Sequence, residues 1–247
     1  MRVLLTPVAP HRPRPRQASG EADGLVWLFD LDNTLHDSSR AIFKVIDQSM
    51  TSAVAESLGV DTDTANELRA HYWKRYGATV IGLVRHHGVN ARDFLERSHA
   101  FDIPSLVHSE TGLPAKLRRL PGRKILLTNA PLSYARTVLG TLGILPQFDS
   151  LWAIDHMHLQ GRIRPKPSLA LMRQVLARVG VPAGQVVLVE DTLKNLKSAK
   201  QLGMRTVHVF HPGTPFSSLH SGRSGYVDLR VNSLTDLLTQ RRPLRWG

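Results

Sequence analysis

The chain has 247 residues, 42% of them hydrophobic and 21% charged, with no cysteine and a formal net charge of +12. That composition belongs to a folded protein large enough for one core and an inserted module, and the missing cysteine excludes disulfides, thiolate nucleophiles and Cys-based zinc sites. No apolar run approaches the roughly 18 residues of a membrane span, so no membrane partner is expected, and a reducing cytoplasm fits the composition.

Seven of the twelve excess positive charges lie at the two ends. Residues 1–16 hold Arg2, Arg12, Arg14 and Arg16 with no acid, in a Pro-rich, aperiodic stretch (1–22) expected to be a disordered basic tail, and residues 241–247 hold Arg241, Arg242 and Arg245, again with none. The body is left with a mild basic excess, and no specific nucleic-acid partner is expected.

From residue 25 onward short apolar runs alternate with amphipathic helical patterns. "LVWLF" (25–29) is a strand candidate that runs straight into Asp30-Leu31-Asp32. A long helical stretch follows. Ile42, Ile46, Met50, Val54 and Leu58 recur every four residues behind Ser38-Ser39, which are expected to cap the helix, and before Gly59. Asp61 or Asp63 can cap a second helix reaching Gly77, and "TVIGLVRHHG" and "NARDFLERSHAF" supply two more. Residues 38–118 therefore read as a helical module inserted into an α/β core made of residues 23–37 and 119–240.

"KILLT" (124–128) is the next strand, followed by Asn129 and a helix over roughly 131–143. "LWAI" (151–154) comes third. "IRPKPS" then holds Lys166 between two prolines that keep it out of the helix at 167–180. "VVLVE" (186–190) ends in Glu190-Asp191, ahead of a helix at 192–202, and "RTVHVF" (205–210) is the last strand read. Nearly continuous apolar strands separated by single helices predict a doubly wound parallel sheet covered on both faces.

Ligands of such sheets bind beyond the carboxyl ends of the strands. The residues found there are Asp30 and Asp32, Thr128 and Asn129, Lys166, and Glu190 with Asp191. Two aspartates one residue apart repel each other and cost free energy to desolvate unless a cation or a reaction uses them. Carboxylates from two strand ends can hold magnesium, an aspartate is a competent nucleophile toward phosphorus, and a lysine and a hydroxyl can hold phosphoryl oxygens.

These residues resemble the haloacid dehalogenase-like phosphohydrolases. "DLDNT" matches the family's Asp-x-Asp-x-Thr, Thr128 its second motif, Lys166 its third and Glu190-Asp191 its acidic fourth, all in order over roughly residues 25–210. The resemblance implies that Asp30 is the nucleophile and a magnesium ligand. It implies that Asp32 is the general acid and base, with its backbone carbonyl facing the metal. Asp191 is then the third ligand, with Glu190 nearby, while Thr128, the Asn129 backbone and Lys166 cradle the phosphate. An acid at Asp32 favours phosphoester over dehalogenation chemistry, and the helical module is similar to the cap these enzymes close over a small phosphomonoester substrate.

Asn195 stands where many capped members have glycine. "EDTLKN", Asn33 and "YWKRYGATVIGL" (72–83) are similar to the pyrimidine 5′-nucleotidase branch, which implies UMP- or CMP-type substrates. Tyr76, Thr79 and His87, with Tyr72 and Leu83, are candidate substrate contacts in the cap. Sugar phosphates, pyridoxal phosphate, a phosphomutase reaction and a non-catalytic binding role stay open at this point. His86-His87 and His156-Met157-His158 have no acidic partners at zinc spacing nearby, and no second metal is expected.

Overall fold

Val26–Phe29 forms β1, buried along its whole length, at the centre of a six-stranded sheet. The computed structural model describes residues 24–211 and 224–239; both basic ends lie outside the described residues. On one side of β1 lie β2 (Arg123–Leu127) and then β3 (Ser150–Trp152). On the other lie β6 (Val186–Glu190), β7 (Arg205–Val209) and β8 (Leu229–Val231). A short antiparallel hairpin, β4 (His158–Leu159) and β5 (Arg162–Ile163), stands apart from this sheet. Every neighbouring pair in the large sheet is parallel, with Leu28 opposite Ile125 on one side and Leu188 on the other. The chain builds outward from β1 to β3 and then returns beside β1 to build the other half. The reversal of strand order therefore falls between β1 and β6, where such sheets bind ligands.

The strands are apolar throughout because both faces are covered, so alternate residues serve opposite layers. Trp27, Phe29, Leu126, Val187 and Val189 pack with Tyr134, Ala135, Val138 and Leu139 of α6 (Leu132–Thr141). Val26, Leu28, Ile125 and Leu188 pack with α7 (Leu169–Val179) and α8 (Leu193–Lys200). The expected doubly wound α/β architecture is the one found.

Five helices lie between β1 and β2: α1 (Ile42–Leu58), α2 (Thr62–Tyr76), α3 (Thr79–His87), α4 (Ala91–Ser98) and α5 (Leu113–Arg119). The segment 38–118 is not one packed unit. Val54, Ala65, Tyr72, Leu83 and Phe94 make a small core of their own for α1–α4, and Ile154, just past β3, joins it. Leu113 and Leu117 of α5 instead pack into the main core with Leu234 and Leu237 of α9 (Leu234–Leu238). Glu110 fastens that return, its two carboxylate oxygens accepting the Leu234 and Thr235 N–H groups at 2.6 Å each. The α5, β8 and α9 segments are too short to show a period in the sequence.

Asp61 caps α2, accepting from the Thr64 N–H at 2.9 Å. The expected Ser38-Ser39 cap on α1 is corrected: its N-cap residue is Ala41, without a side-chain bond. Ser38 is spent on Asp32 and Ser39 on the Asn33 side chain, because the loop after β1 competes for both hydroxyls. No helix among the described residues is long and apolar enough to cross a membrane.

Gly82 of α3 lies directly against Tyr72 of α2. A Cβ there would meet the Tyr72 ring at 2.0 Å. Gly82→Ala is therefore expected to cost about 1–3 kcal/mol through overpacking, read as a lower denaturation midpoint with an unchanged slope. An unshifted midpoint would mean that the two helices part without cost.

Candidate active site

Asp30 continues the β1 ladder, its N–H donating to the Val189 carbonyl at 3.0 Å, so its side chain leaves the sheet at the reversal point. Lys166 reaches it from the loop ahead of α7. The ammonium donates to Asp30 Oδ1 and to Glu190 Oε2, each over 2.6 Å, and the lysine is only 2% exposed. Asp191, the next residue past β6, is also buried, and ligand oxygens of Asp30, Glu190 and Asp191 lie within 4.8 Å of one another.

A lysine held this firmly needs its backbone fixed too. The Asn129 side chain does this from the end of β2: its Nδ2 donates to the Lys166 carbonyl and its Oδ1 accepts the Lys166 N–H, both at 3.0 Å. From the insert, Gly77 sits over the same carbonyl, where a Cβ would lie 3.1 Å from the oxygen; its φ of 81° also suits glycine. Thr128 is 1% exposed, and its hydroxyl oxygen accepts the Ala130 N–H at 3.0 Å. That bond leaves the hydroxyl proton for another acceptor.

Burial pushes the Asp30 carboxyl up to about 8, helped by the charge of Glu190 and opposed by Lys166. Burial likewise lifts Glu190 to about 7, with Lys166 opposing and Asp191 assisting. For Lys166 burial acts downward, yet the charges of Asp30 and Glu190 outweigh it and the ammonium is held above its ordinary value. Three ionised carboxylates against one ammonium carry a net charge of −2. The fit to a hard dication is good: the donors are all carboxylate oxygens, and the excess charge equals that of the ion. This is the one group of three or more such side chains among the described residues.

Asp32 sits beside this cluster in a different setting. Its Oδ1 lies 2.9 Å from His36 Nε2 and accepts the Ser38 hydroxyl at 2.8 Å and the Tyr134 phenol at 2.7 Å. Burial pushes its carboxyl up, but the hydrogen bond and charge of His36 and the two hydroxyls outweigh this and hold it below the usual carboxylate range. None of these three partners follows from the sequence pattern. Ser38 is expected as a helix cap, and Tyr134 stands 102 residues away.

The insert residues fare differently from one another. Thr79 is buried, its hydroxyl donating to the Arg69 carbonyl at 3.1 Å, and Leu83 is fully buried. Leu83 belongs to the insert's own core, because the apolar face of a short helix is used up in packing. His87 is exposed and bonds the Tyr72 phenol at 2.7 Å. Tyr76 is half-buried and bonds His86 at the same distance. Asn195 is buried in α8.

A parallel sheet with acids at its reversal point, a buried lysine bridging two of them and a helical insertion after the first strand define a class of α/β hydrolytic enzymes. The family model for haloacid dehalogenase-like hydrolases matches residues 26–203, and the chain belongs to that family. It is 26% identical over 202 residues to "Phosphate metabolism protein 8" of Saccharomyces cerevisiae, covering 75% of this chain and 61% of that protein. It is 25% identical over 233 residues to the "Glyceraldehyde 3-phosphate phosphatase" of Methanocaldococcus jannaschii, covering 85% of this chain and 94% of that one. Among solved structures, a HAD phosphatase from Thermococcus onnurineus shares the fold with a TM-score of 0.59 at 21% identity, over 86% of this chain and 95% of that one.

Proposed function

We propose that the protein is a magnesium-dependent phosphomonoesterase working through an aspartyl-phosphate on Asp30. The observation that carries this reading is the Lys166 ammonium, 2.6 Å from both Asp30 and Glu190 and beside Asp191, where the strand order reverses. Asp30 and Asp191, with Glu190 and the Asp32 backbone carbonyl, would hold the magnesium ion. When bound, the ion supplies positive charge against the phosphoryl oxygens.

The chain's own residues account for the rest. The Thr128 hydroxyl, the Asn129 backbone and Lys166 hold the phosphoryl group in line with Asp30. An Asp30 oxygen bonds to phosphorus as the bond to the leaving alcohol breaks, and Asp32 gives that alcohol its proton. Asp32 then takes a proton from water as the water oxygen bonds to phosphorus, which releases phosphate and restores the Asp30 carboxylate. The helices α1–α4 act as a cap that shields these steps from bulk water. Gly77 against the Lys166 carbonyl supports this, since it places the end of α2 on the phosphate-holding loop.

For the substrate we favour pyrimidine nucleoside 5′-monophosphates of the UMP and CMP kind. Asn33, "EDTLKN" and the α2–α3 phrase support that branch, and Tyr76 with His86 and His87 offers flat faces for a base on the insert. A second reading is a small organic phosphate, favoured by the alignment with the archaeal glyceraldehyde 3-phosphate phosphatase over nearly its full length.

Phosphate release across UMP, CMP, AMP, GMP, glyceraldehyde 3-phosphate, glucose phosphates and pyridoxal phosphate, with magnesium and then EDTA, decides between them. The expected result is metal-dependent release, greatest for UMP or CMP and abolished by EDTA. Release greatest from glyceraldehyde 3-phosphate would keep Asp30 and change the substrate. Release that EDTA leaves intact would remove magnesium from the reading.

A further inference from the structure

Three donors converge on one carboxylate oxygen of Asp32 and none reaches the other. His36, Ser38 and Tyr134 all meet Oδ1 within 2.9 Å, while Oδ2 accepts no hydrogen bond among the described residues. The Asp32 side chain keeps 24% of its exposure, whereas the His36 side chain keeps none and Ser38 and Tyr134 are at 0% and 1%. One oxygen is anchored in the protein and the second is left without a protein donor on a partly exposed side chain.

The anchors come from separate parts of the fold. His36 is paired to Asp32 by an isolated bridge in the turn after β1. Ser38 is placed by the Asn33 N–H, which donates to its oxygen at 3.3 Å. Tyr134 comes from α6, and the His99 ring at the end of α4 meets its ring edge-on at 5.3 Å. An unanchored carboxylate turns about two side-chain torsions and exchanges its oxygens. Three bonds to one oxygen fix both torsions, and proton transfer is sensitive to displacements of this size.

We propose that His36, Ser38 and Tyr134 are positioning residues that clamp Oδ1 of Asp32 and present Oδ2 as the oxygen that exchanges the proton. The assignment rests on the phosphomonoesterase reading. As Asp30 bonds to phosphorus and the phosphorus–oxygen bond to the alcohol breaks, the leaving oxygen takes the proton from Oδ2. Water later returns a proton to Oδ2 as its oxygen bonds to phosphorus and the bond to Asp30 breaks.

Tyr134→Phe keeps the ring and its contact with His99 and removes only the hydroxyl. Ser38→Ala removes a second anchor from a different part of the fold. Each is compared with the wild type in rapid-quench single turnovers with magnesium, on an alkyl phosphate and on p-nitrophenyl phosphate. The aryl ester's leaving group departs without a proton, so the position of Oδ2 does not bear on the first step. General acids contribute about 10²–10⁴-fold, and each variant is expected to lose at least about tenfold more on the alkyl than on the aryl ester, with KM little changed. Equal losses on both esters, or no loss on either, would overturn the clamp while leaving the phosphatase chemistry intact. A wild type that transfers phosphoryl from neither ester overturns the phosphomonoesterase reading, and the clamp's role with it.

Discussion

Asp30→Asn is expected to abolish phosphate release, by roughly 10⁴-fold or more, as loss of a covalent nucleophile does. In EDTA the same variant is expected to be at least as stable as the wild type. An amide cannot form the acyl-phosphate, and no other carboxylate lies on the Lys166 ammonium except Glu190, which leaves the site by a different strand. The stability result follows from charge. Without metal, Asp30, Glu190 and Asp191 share one ammonium in a buried site, and the Glu190 charge works against ionised Asp30. Substitution removes one negative charge, keeps the Lys166–Glu190 pair, and leaves an amide oxygen for the ammonium. A gain of about 1 kcal/mol is the usual scale when a functional site is relieved of such repulsion. Retained turnover in a preparation free of contaminating phosphatase would remove Asp30 from the nucleophile's role. A lower melting temperature would mean that the Lys166–Asp30 attraction outweighs the repulsion.

The reverse substitution has the largest expected effect on stability. Lys166→Met keeps the length and apolar stem of the side chain but deletes the one cation that two buried carboxylates touch. Breaking a buried pair by removing one partner costs about 3–5 kcal/mol, which in a chain of this size lowers the melting temperature by roughly 6–20 °C. The loss should depend on pH. Burial already lifts Asp30 to about 8 and Glu190 to about 7 against the opposing influence of Lys166, and without the lysine both rise further. A carboxyl whose value is higher in the folded state binds a proton that the unfolded chain releases. Stability from such a group is present at low pH and is lost as pH rises through the folded value. Melting curves in EDTA should thus show a small deficit at about pH 5 and one that grows as pH rises past about 8. A deficit of the same size at both would assign it to packing rather than to charge. Asp30→Asn added to Lys166→Met should recover part of it.

Much of the candidate site was legible before any coordinates, because strand ends are local features. A buried strand in a parallel sheet is apolar on both sides, so the first polar residue after "LVWLF", "KILLT" or "VVLVE" marks where the chain leaves the sheet. Sheets of this kind bind ligands along that rim. Asp30, Thr128, Glu190 and Asp191 could be named by this reasoning, and Lys166 by its place between two prolines ahead of a helix; the structure brings Asp30, Lys166, Glu190 and Asp191 together. The helices of the insert were legible from their four-residue spacing and their terminal glycines. Their inner and outer faces were not: only the packing shows that Thr79 and Leu83 are buried among their neighbours.

Order along the chain determined which residues end strands, and the alternation of strands with helices determined the layered sheet. What those residues are bonded to was decided only by the tertiary structure. The Tyr134 phenol on Asp32 spans 102 positions, the Asn129 clasp on the Lys166 backbone spans 37, and Glu110 holds the start of α9 across 124. Periodicity records that a segment is buried; it holds no information on which distant donor fills a given lone pair. That pairing depends on where packing sets each layer against the next, which is why α5 joined the sheet's core rather than the insert and why Ser38 left its helix uncapped to hold Asp32.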